Sequence, residues 1–281
     1  MRHEIGRSPT TRGRFCRRGA LVVLLILVAT VAPALGQSDE DLAKQTQNPV
    51  ADLISLPFQN NTTFGIGPED RAQNVLNIQP VIPFNLSKDW NLISRTIVPL
   101  VWQPDPSGRG DGAFGISDIQ ETLFLAPAGS GSLIWGVGPI FQLPTSSTLS
   151  VGPRKFGLGP SVVGLAVLGP WVVGALANNV WSLAGDSDSP DVNQFLLQPF
   201  VNYNFGKTGW YAVSAPIVTA NWEAPGRDVW TAPIGAGAGK VFTLGKQPFN
   251  VSAQLFYNAA RPESSGDISL RMQVQLLFPK G

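Results

Sequence analysis

The sequence predicts an all-β fold: a transmembrane antiparallel β-barrel of about 12 strands, preceded by a short N-terminal helical segment. Three observations predict it. Apolar and polar residues alternate through many successive runs, the period of a strand with one greasy and one wet face. The breaks between runs alternate between short and long, as periplasmic turns and external loops do in outer-membrane barrels. Charge is scarce, at 14% of the 281 residues, where soluble domains carry about 25%.

The first 36 residues stand apart. Arg2, Arg7, Arg12, Arg14, Arg17 and Arg18 form a basic region, Ala20 to Thr30 is apolar, and Ala34-Leu35-Gly36 precedes Gln37 as a small-residue cleavage site. This is the pattern of a signal peptide spanning 1–36 and of an exported protein. Cys16 lies before the apolar run, so it is not placed as a lipoprotein cysteine. Without 1–36 the basic residues fall from 20 to 14 and the acids from 19 to 18, so the formal charge changes from +1 to −4. Nothing basic then remains to bind nucleic acid. His3 and Cys16, the sole histidine and cysteine, also leave. The remainder lacks disulfides, the usual soft metal ligands and a histidine general base. No later apolar run reaches the roughly 20 residues of a spanning helix, and lipid-exposed backbone otherwise allows only closed barrels.

Residues 37–56 are expected to be a short helical segment. Ser38-Asp39-Glu40-Asp41 places acids at a helix start, and Asn48-Pro49 reads as a cap opening a second turn through Ser55. Val50, Leu53 and Ile54 fall on one helical face. They are the candidate contact residues of a plug in the lumen or a periplasmic lid, with a frayed leader as the alternative.

The barrel is expected over 57–281, with strands near 57–66, 73–84, 90–103, 114–127, 132–144, 156–168, 170–182, 192–204, 209–222, 229–242, 247–259 and 268–279. The stretch from Asn74 to Gln103 is the clearest hairpin. Trp90 and Trp102 lie 12 residues apart on one strand face. At about 3.3 Å per residue and a tilt of about 45° they are separated by roughly 28 Å of height, near the apolar band of about 25 Å flanked by aromatic girdles. Trp210 and Trp222 repeat the spacing, so these four are the candidate membrane girdle. Eleven of the 18 acids after residue 36 lie in the longer breaks. Gly235, Gly237 and Gly239 share one strand face; they would widen the lumen, admit a plug, or relieve curvature. Prolines 80, 83, 99, 139, 160, 199, 216 and 233 fall inside strand runs, where the missing N–H is unusual.

The amide-rich face of the alternating runs marks the interior. Its candidate pore-lining residues are Arg95, Asp118, Glu121, Gln198, Asn202, Gln254, Arg271, Gln273 and Gln275. Arg95 and Arg271 are expected inward because an arginine facing lipid at mid-membrane costs about 2–4 kcal/mol. Asp118 and Glu121 have opposite parity, so a regular strand would turn one of them to lipid; a β-bulge near Gly115–Ser117, or a position near the membrane interface, would remove the conflict. Whichever acid faces inward is expected to pair with Arg95 across the hairpin in a charged constriction, with Arg271 as a second positive group. A structural ion pair in a plugged barrel is the alternative.

No catalytic, cofactor-binding or metal site is expected. Serine hydrolase or barrel-protease chemistry needs a histidine that the exported chain lacks. GAGAGK at 235–240 lacks the Ser/Thr of a phosphate loop and lies in a strand run. Asp186, Asp188 and Asp191 share a loop and could offer oxygens to Ca²⁺, but a full ligand spacing is missing.

Several strings are familiar: LAKQTQNPVADLISLPFQNN (42–61), NVLNIQPVIPF (74–84), DWNLISRTIVPL (89–100), LIWGVGPIFQLPT (133–145), GPWVVGALANNVWS (169–182), DVNQFLLQPF (191–200) and the closing FPK. Over nearly the whole exported chain they resemble a bacterial family labelled as meta-pathway phenol-degradation proteins, whose members are often called transporters. The resemblance implies a Gram-negative outer-membrane barrel taking up small organic molecules, aromatic or hydrophobic ones included. The expected function is a passive, porin-like channel or transporter in the cell outer membrane. A structural or surface-interaction barrel with a closed lumen is the alternative. The expected partners are membrane lipid, lipopolysaccharide and a small-molecule solute; the sequence does not fix an oligomeric state.

Overall fold

The computed structural model describes residues 39–279 apart from 106, 130 and 132. The signal-peptide expectation for 1–36 lies outside the described residues. One helix, α1 (Asp39–Thr46), precedes fifteen strand segments: β1 (Ile54–Ile66), β2 (Arg71–Ile78), β3 (Val81–Asn85), β4 (Trp90–Gln103), β5 (Ala113–Ile116), β6 (Ile119–Pro127), β7 (Leu133–Leu143), β8 (Lys155–Leu168), β9 (Trp171–Gly185), β10 (Asn193–Asn204), β11 (Trp210–Ser214), β12 (Val218–Asn221), β13 (Trp230–Leu244), β14 (Gln247–Ala260) and β15 (Ile268–Phe278). The segments β2/β3, β5/β6 and β11/β12 are each one barrel strand with a break, so the wall is a closed antiparallel barrel of 12 strands. Closure comes from β1 pairing with β15, from Ile54↔Phe278 to Phe64↔Ile268.

Two of the breaks follow from proline. Pro80 separates β2 from β3 and Pro216 separates β11 from β12; neither can donate to the ladder. The registers on either side stay in phase, Ile78↔Val98 followed by Val81↔Arg95. The third break is a bulge. Between Ile97↔Gln120 and Leu100↔Ile116, β4 advances by three residues and its partner by four. The extra residue inverts the faces: Phe114 and Ile116 are exposed on β5, whereas Thr122, Phe124 and Ala126 on β6 are buried.

One barrel end carries the short turns 86–89, 128–132, 169–170, 205–209 and 245–246; the other carries 67–70, 104–112, 144–154, 186–192, 222–229 and 261–267. The two-residue turns open with Gly169 and Gly245, at φ +61° and +64°, a left-handed backbone that glycine adopts without cost. The long-loop end is cross-tied. Arg71 donates to the carbonyls of Gly108 and Gly110 in the next loop, and Arg261 pairs with Asp267. In the 104–112 loop the Ser107 backbone N–H, followed by its hydroxyl, holds the Asp105 carboxyl below the usual carboxylate range.

The outer face is apolar and ringed by aromatics. All eight tryptophans are exposed. Trp90, Trp135, Trp171 and Trp210 lie at the short-turn ends of their strands, and Trp102, Trp181, Trp222 and Trp230 at the long-loop ends. Trp90 meets Trp135 edge-on at 6.0 Å, and Trp222 meets Trp230 at 5.4 Å. Lys240 lies on this outer face with its ammonium 5.2 Å from the Trp210 ring centre, so its charge sits at the ring level while the stem covers apolar wall.

The N-terminal segment differs from the expected two helical turns. α1 forms, but the chain leaves helix after Thr46. Asn48 opens one further turn, its Oδ1 accepting the Val50 N–H at 3.0 Å and its carbonyl the Ala51 N–H at 3.2 Å, and this turn does not propagate into helix. β1 then starts at Ile54, which is exposed and paired with Phe278, whereas its neighbour Leu53 is buried. Ile54 therefore belongs to the outer wall and not to an inward stripe with Val50 and Leu53, because period two replaces period 3.6 at that residue.

Candidate functional site

The inner face collects side chains from every second wall residue. Gln198, Asn202, Gln254, Arg271, Gln273, Gln275 and Arg95 all line one cavity of about 180 Å³ in the lumen, together with residues 45–49 of the N-terminal segment. Seven of the nine expected pore-lining residues are thus brought together. The amides form a connected network. Tyr211 OH donates to Asn250 Oδ1 at 2.7 Å, and Asn250 Nδ2 donates to Gln275 Oε1 at 3.1 Å, which also accepts Gln273 Nε2 at 3.3 Å. Gly239 makes this network possible. A Cβ built there would fall 2.2 Å from a Tyr211 ring carbon. Gly235, Gly237 and Gly239 are on the inner side of β13, facing the cross-strand neighbour β14 and, at Gly239, the Tyr211 ring.

The strand breaks supply further site residues. Ala215, next to Pro216, is outside the ladder. Its N–H goes to Gln254 Oε1 at 3.1 Å, and its carbonyl accepts Arg271 Nη1 at 2.7 Å. Arg271 Nε donates to Asn61 Oδ1 at 3.0 Å, and the guanidinium lies 4.9 Å from the Phe256 ring centre. Gln79, next to Pro80, accepts Arg95 Nη2 at 3.0 Å. Gln79, Asn61, Tyr211, Asn250 and Ala215 were not among the sequence-expected site residues. The prolines were the available signal, since a broken ladder leaves backbone groups and side chains to pair across the lumen.

The two acids do not join Arg95. Asp118 faces inward, as the bulge allows, but lies under the 144–154 loop. Its carboxylate accepts the Ser146 N–H at 2.9 Å, the Ser146 hydroxyl, the Lys155 N–H at 3.2 Å and Gln142 Nε2 at 3.4 Å. Glu121 faces outward. It pairs with Thr96 in the β4 register, and its oxygens accept Ser94 Oγ at 2.6 Å and Thr96 Oγ1 at 2.5 Å on the same outer face. The expected constriction of Arg95 with one acid is therefore overturned. The bulge lies beyond Glu121, on the loop side, so it inverts β5 and leaves Glu121 out of phase with the lumen. In the 186–192 loop, Asp186 faces Arg154 at 3.9 Å and Asp191 faces Lys155 at 3.3 Å, so these acids serve ion pairs.

The N-terminal segment enters from the short-turn end. α1 packs beside β10 and β13. Leu42, Ala43, Ala51 and Leu53 join a buried cluster with Leu165, Val172, Phe200 and Val241. Val50 joins a second with Ile93, Phe124, Val163 and Leu176. Gln47 and Asn204 exchange amide hydrogen bonds at 2.9 and 3.2 Å. The girdle candidates Trp90, Trp102, Trp210 and Trp222 all point outward.

No family model and no curated protein matches the chain. Among solved structures it is similar to an outer membrane channel from Pseudomonas putida F1, with TM-score 0.63 and 17% identity over 80% of this chain and 94% of that one. Outer membrane phospholipase A from Escherichia coli aligns over 87% of this chain and 99% of that one at 14% identity, with TM-score 0.44, too distant a likeness to bear on this chain. The first likeness establishes the fold, that of an outer-membrane barrel.

Proposed function

We propose that this chain is an outer-membrane channel for small solutes, narrowed at its short-turn end by residues 39–53. The observation that carries this reading is the cavity of about 180 Å³, lined by amides and arginines, inside an otherwise apolar-skinned wall. A barrel filled by side chains would close its centre with packed groups, whereas here hydrogen-bonded amides and two guanidinium groups border an open volume. Twelve strands suit this role. Eight leave an interior filled by side chains, and 16–18 leave a wide aqueous pore. In this reading the tryptophan rings meet the two faces of the bilayer, with lipid and lipopolysaccharide around them. The family resemblance of the sequence supports small organic molecules as cargo.

A closed-lumen structural barrel is the second reading. It is favoured by the burial of Leu42, Ala43, Val50 and Leu53 in two apolar clusters, which seat the N-terminal segment firmly. Planar-bilayer recording separates the two readings. The full chain is expected to conduct in small steps, and deletion of residues 39–53 to raise the conductance several-fold. Silence from both proteins would leave the structural reading standing.

A further inference from the structure

We propose that the lumen cavity is a binding site for a small organic carboxylate, held by Arg95 and Arg271; the proposal rests on the channel reading and gives that channel its substrate class. The charge balance of the cavity is the first reason. Its lining contains two arginines and no aspartate or glutamate, and neither arginine has a carboxylate within ion-pair distance among the described residues. The acids that could have neutralised Arg95 point elsewhere, Asp118 to its loop and Glu121 outward. Two guanidinium charges thus sit in a confined space where attraction is weakly screened, without a protein counter-charge.

Donor geometry is the second reason. A guanidinium has five N–H donors. Arg95 spends one on Gln79, and Arg271 spends two on Asn61 and Ala215. No sealed side-chain nitrogen among the described residues lacks a partner, so the guanidinium nitrogens without protein partners open onto the cavity. Free N–H groups of a planar fork match the two oxygens of a carboxylate.

Size and lining set the rest of the ligand. At about 180 Å³ the cavity is smaller than the roughly 300–1,000 Å³ of drug-sized sites, so it suits an acid with one ring or a short chain. Leu53, Leu176, Phe200 and Val213 share the lining and offer an apolar surface to the body of such an acid.

The test uses the full barrel in detergent, titrated calorimetrically with benzoate, with its neutral amide benzamide, and with inorganic phosphate. Benzoate is expected to bind saturably, at least tenfold more tightly than either comparison. Arg95→Gln is expected to weaken benzoate binding at least tenfold. Arg95→Lys, which keeps the charge but loses the fork, is expected to fall between. Arg271→Gln serves as a further variant if heat-modifiable migration shows that it folds. In a salt gradient across a bilayer, the wild type is expected to prefer anions, and Arg95→Gln to move the reversal potential toward zero. Benzamide binding as tightly as benzoate, or Arg95→Gln binding benzoate like wild type, overturns the site. Phosphate binding as tightly as benzoate overturns the organic-carboxylate assignment. Current without anion preference overturns the proposed substrate class. No current at all, with benzoate binding that Arg95→Gln abolishes, overturns the channel reading and leaves the carboxylate site in place.

Discussion

Asp118→Ala tests how the long-loop end is held. The carboxylate is 5% exposed, and four donors converge on it, from Ser146, Lys155 and Gln142. The Ser146 hydroxyl and the Gln142 amide can turn to other partners, and Gln142 already reaches the Lys155 carbonyl at 3.5 Å. The backbone N–H groups of Ser146 and Lys155 cannot turn. Both belong to buried residues, and a buried donor left unsatisfied costs about 1–3 kcal/mol. The alanine variant is therefore expected to lose about 2–6 kcal/mol, concentrated on the 144–154 loop. Arg154, whose side chain is held by the carbonyls of Ser146 and Ser147 at 3.0 and 2.5 Å, provides a tryptic site at the loop's end. Where opening is fast relative to cleavage, proteolysis tracks the open population, and 2 kcal/mol corresponds to about 30-fold. Trypsin cleavage after Arg154, followed by mass spectrometry in detergent, is expected to accelerate at least that much. Asp118→Asn keeps one acceptor oxygen but presents an amide to the remaining donors, so it should fall between. If the alanine variant is cut at the wild-type rate while its barrel stays heat-modifiable, Asp118 does not hold the loop.

Two further outcomes follow from the same geometry. Gly239→Val places a side chain where the Tyr211 ring lies and is expected to destabilise by about 1–3 kcal/mol, measured by urea unfolding in lipid vesicles; Tyr211→Ala should recover part of the loss, and strict additivity of the two changes would contradict the contact. Glu121→Leu removes a carboxylate from the outer face midway between Trp90 and Trp102, where acids cost less than the roughly 2–4 kcal/mol of basic residues; the variant should be as stable as wild type or more stable by about 1 kcal/mol, and a clear loss in the same unfolding assay would show that the Ser94 and Thr96 bonds outweigh the exposure.

The wall was legible because its signals are local and periodic. The alternation in Phe249–Asn258 or Leu270–Phe278 states both the strand and its faces, and runs such as NLSKD and PDPSGRGDG state the turn lengths. Arg95 and Arg271 were placed inward by the amide-rich face they share and by the cost of facing lipid, and they border the lumen cavity. What escaped depends on a single residue of phase. The bulge expected near Gly115–Ser117 is present, but its place at Ser117–Asp118 is set by a count across two strands, and it falls before Asp118, so the two acids keep opposite faces. Asp118 and Glu121 could be assigned opposite faces but not destinations. Val50, Leu53 and Ile54 satisfy a helical stripe, yet β1 claims Ile54, because a cross-strand partner 224 positions later outweighs a local turn. Ala215 and Gln79 were hidden for the opposite reason: their roles arise from a missing N–H in the next residue.

Leu53 and Ile54 are consecutive, yet one is buried in the lumen and the other faces out from the wall. Leu53 is thus the last residue of the inner segment, and the wall begins one peptide bond later, at the seam where the first strand meets the last. The inner segment is held along its length by its buried apolar contacts and by the Gln47–Asn204 amide pair. With no loop between Leu53 and Ile54, displacing the segment at this end loads the Ile54↔Phe278 pair directly.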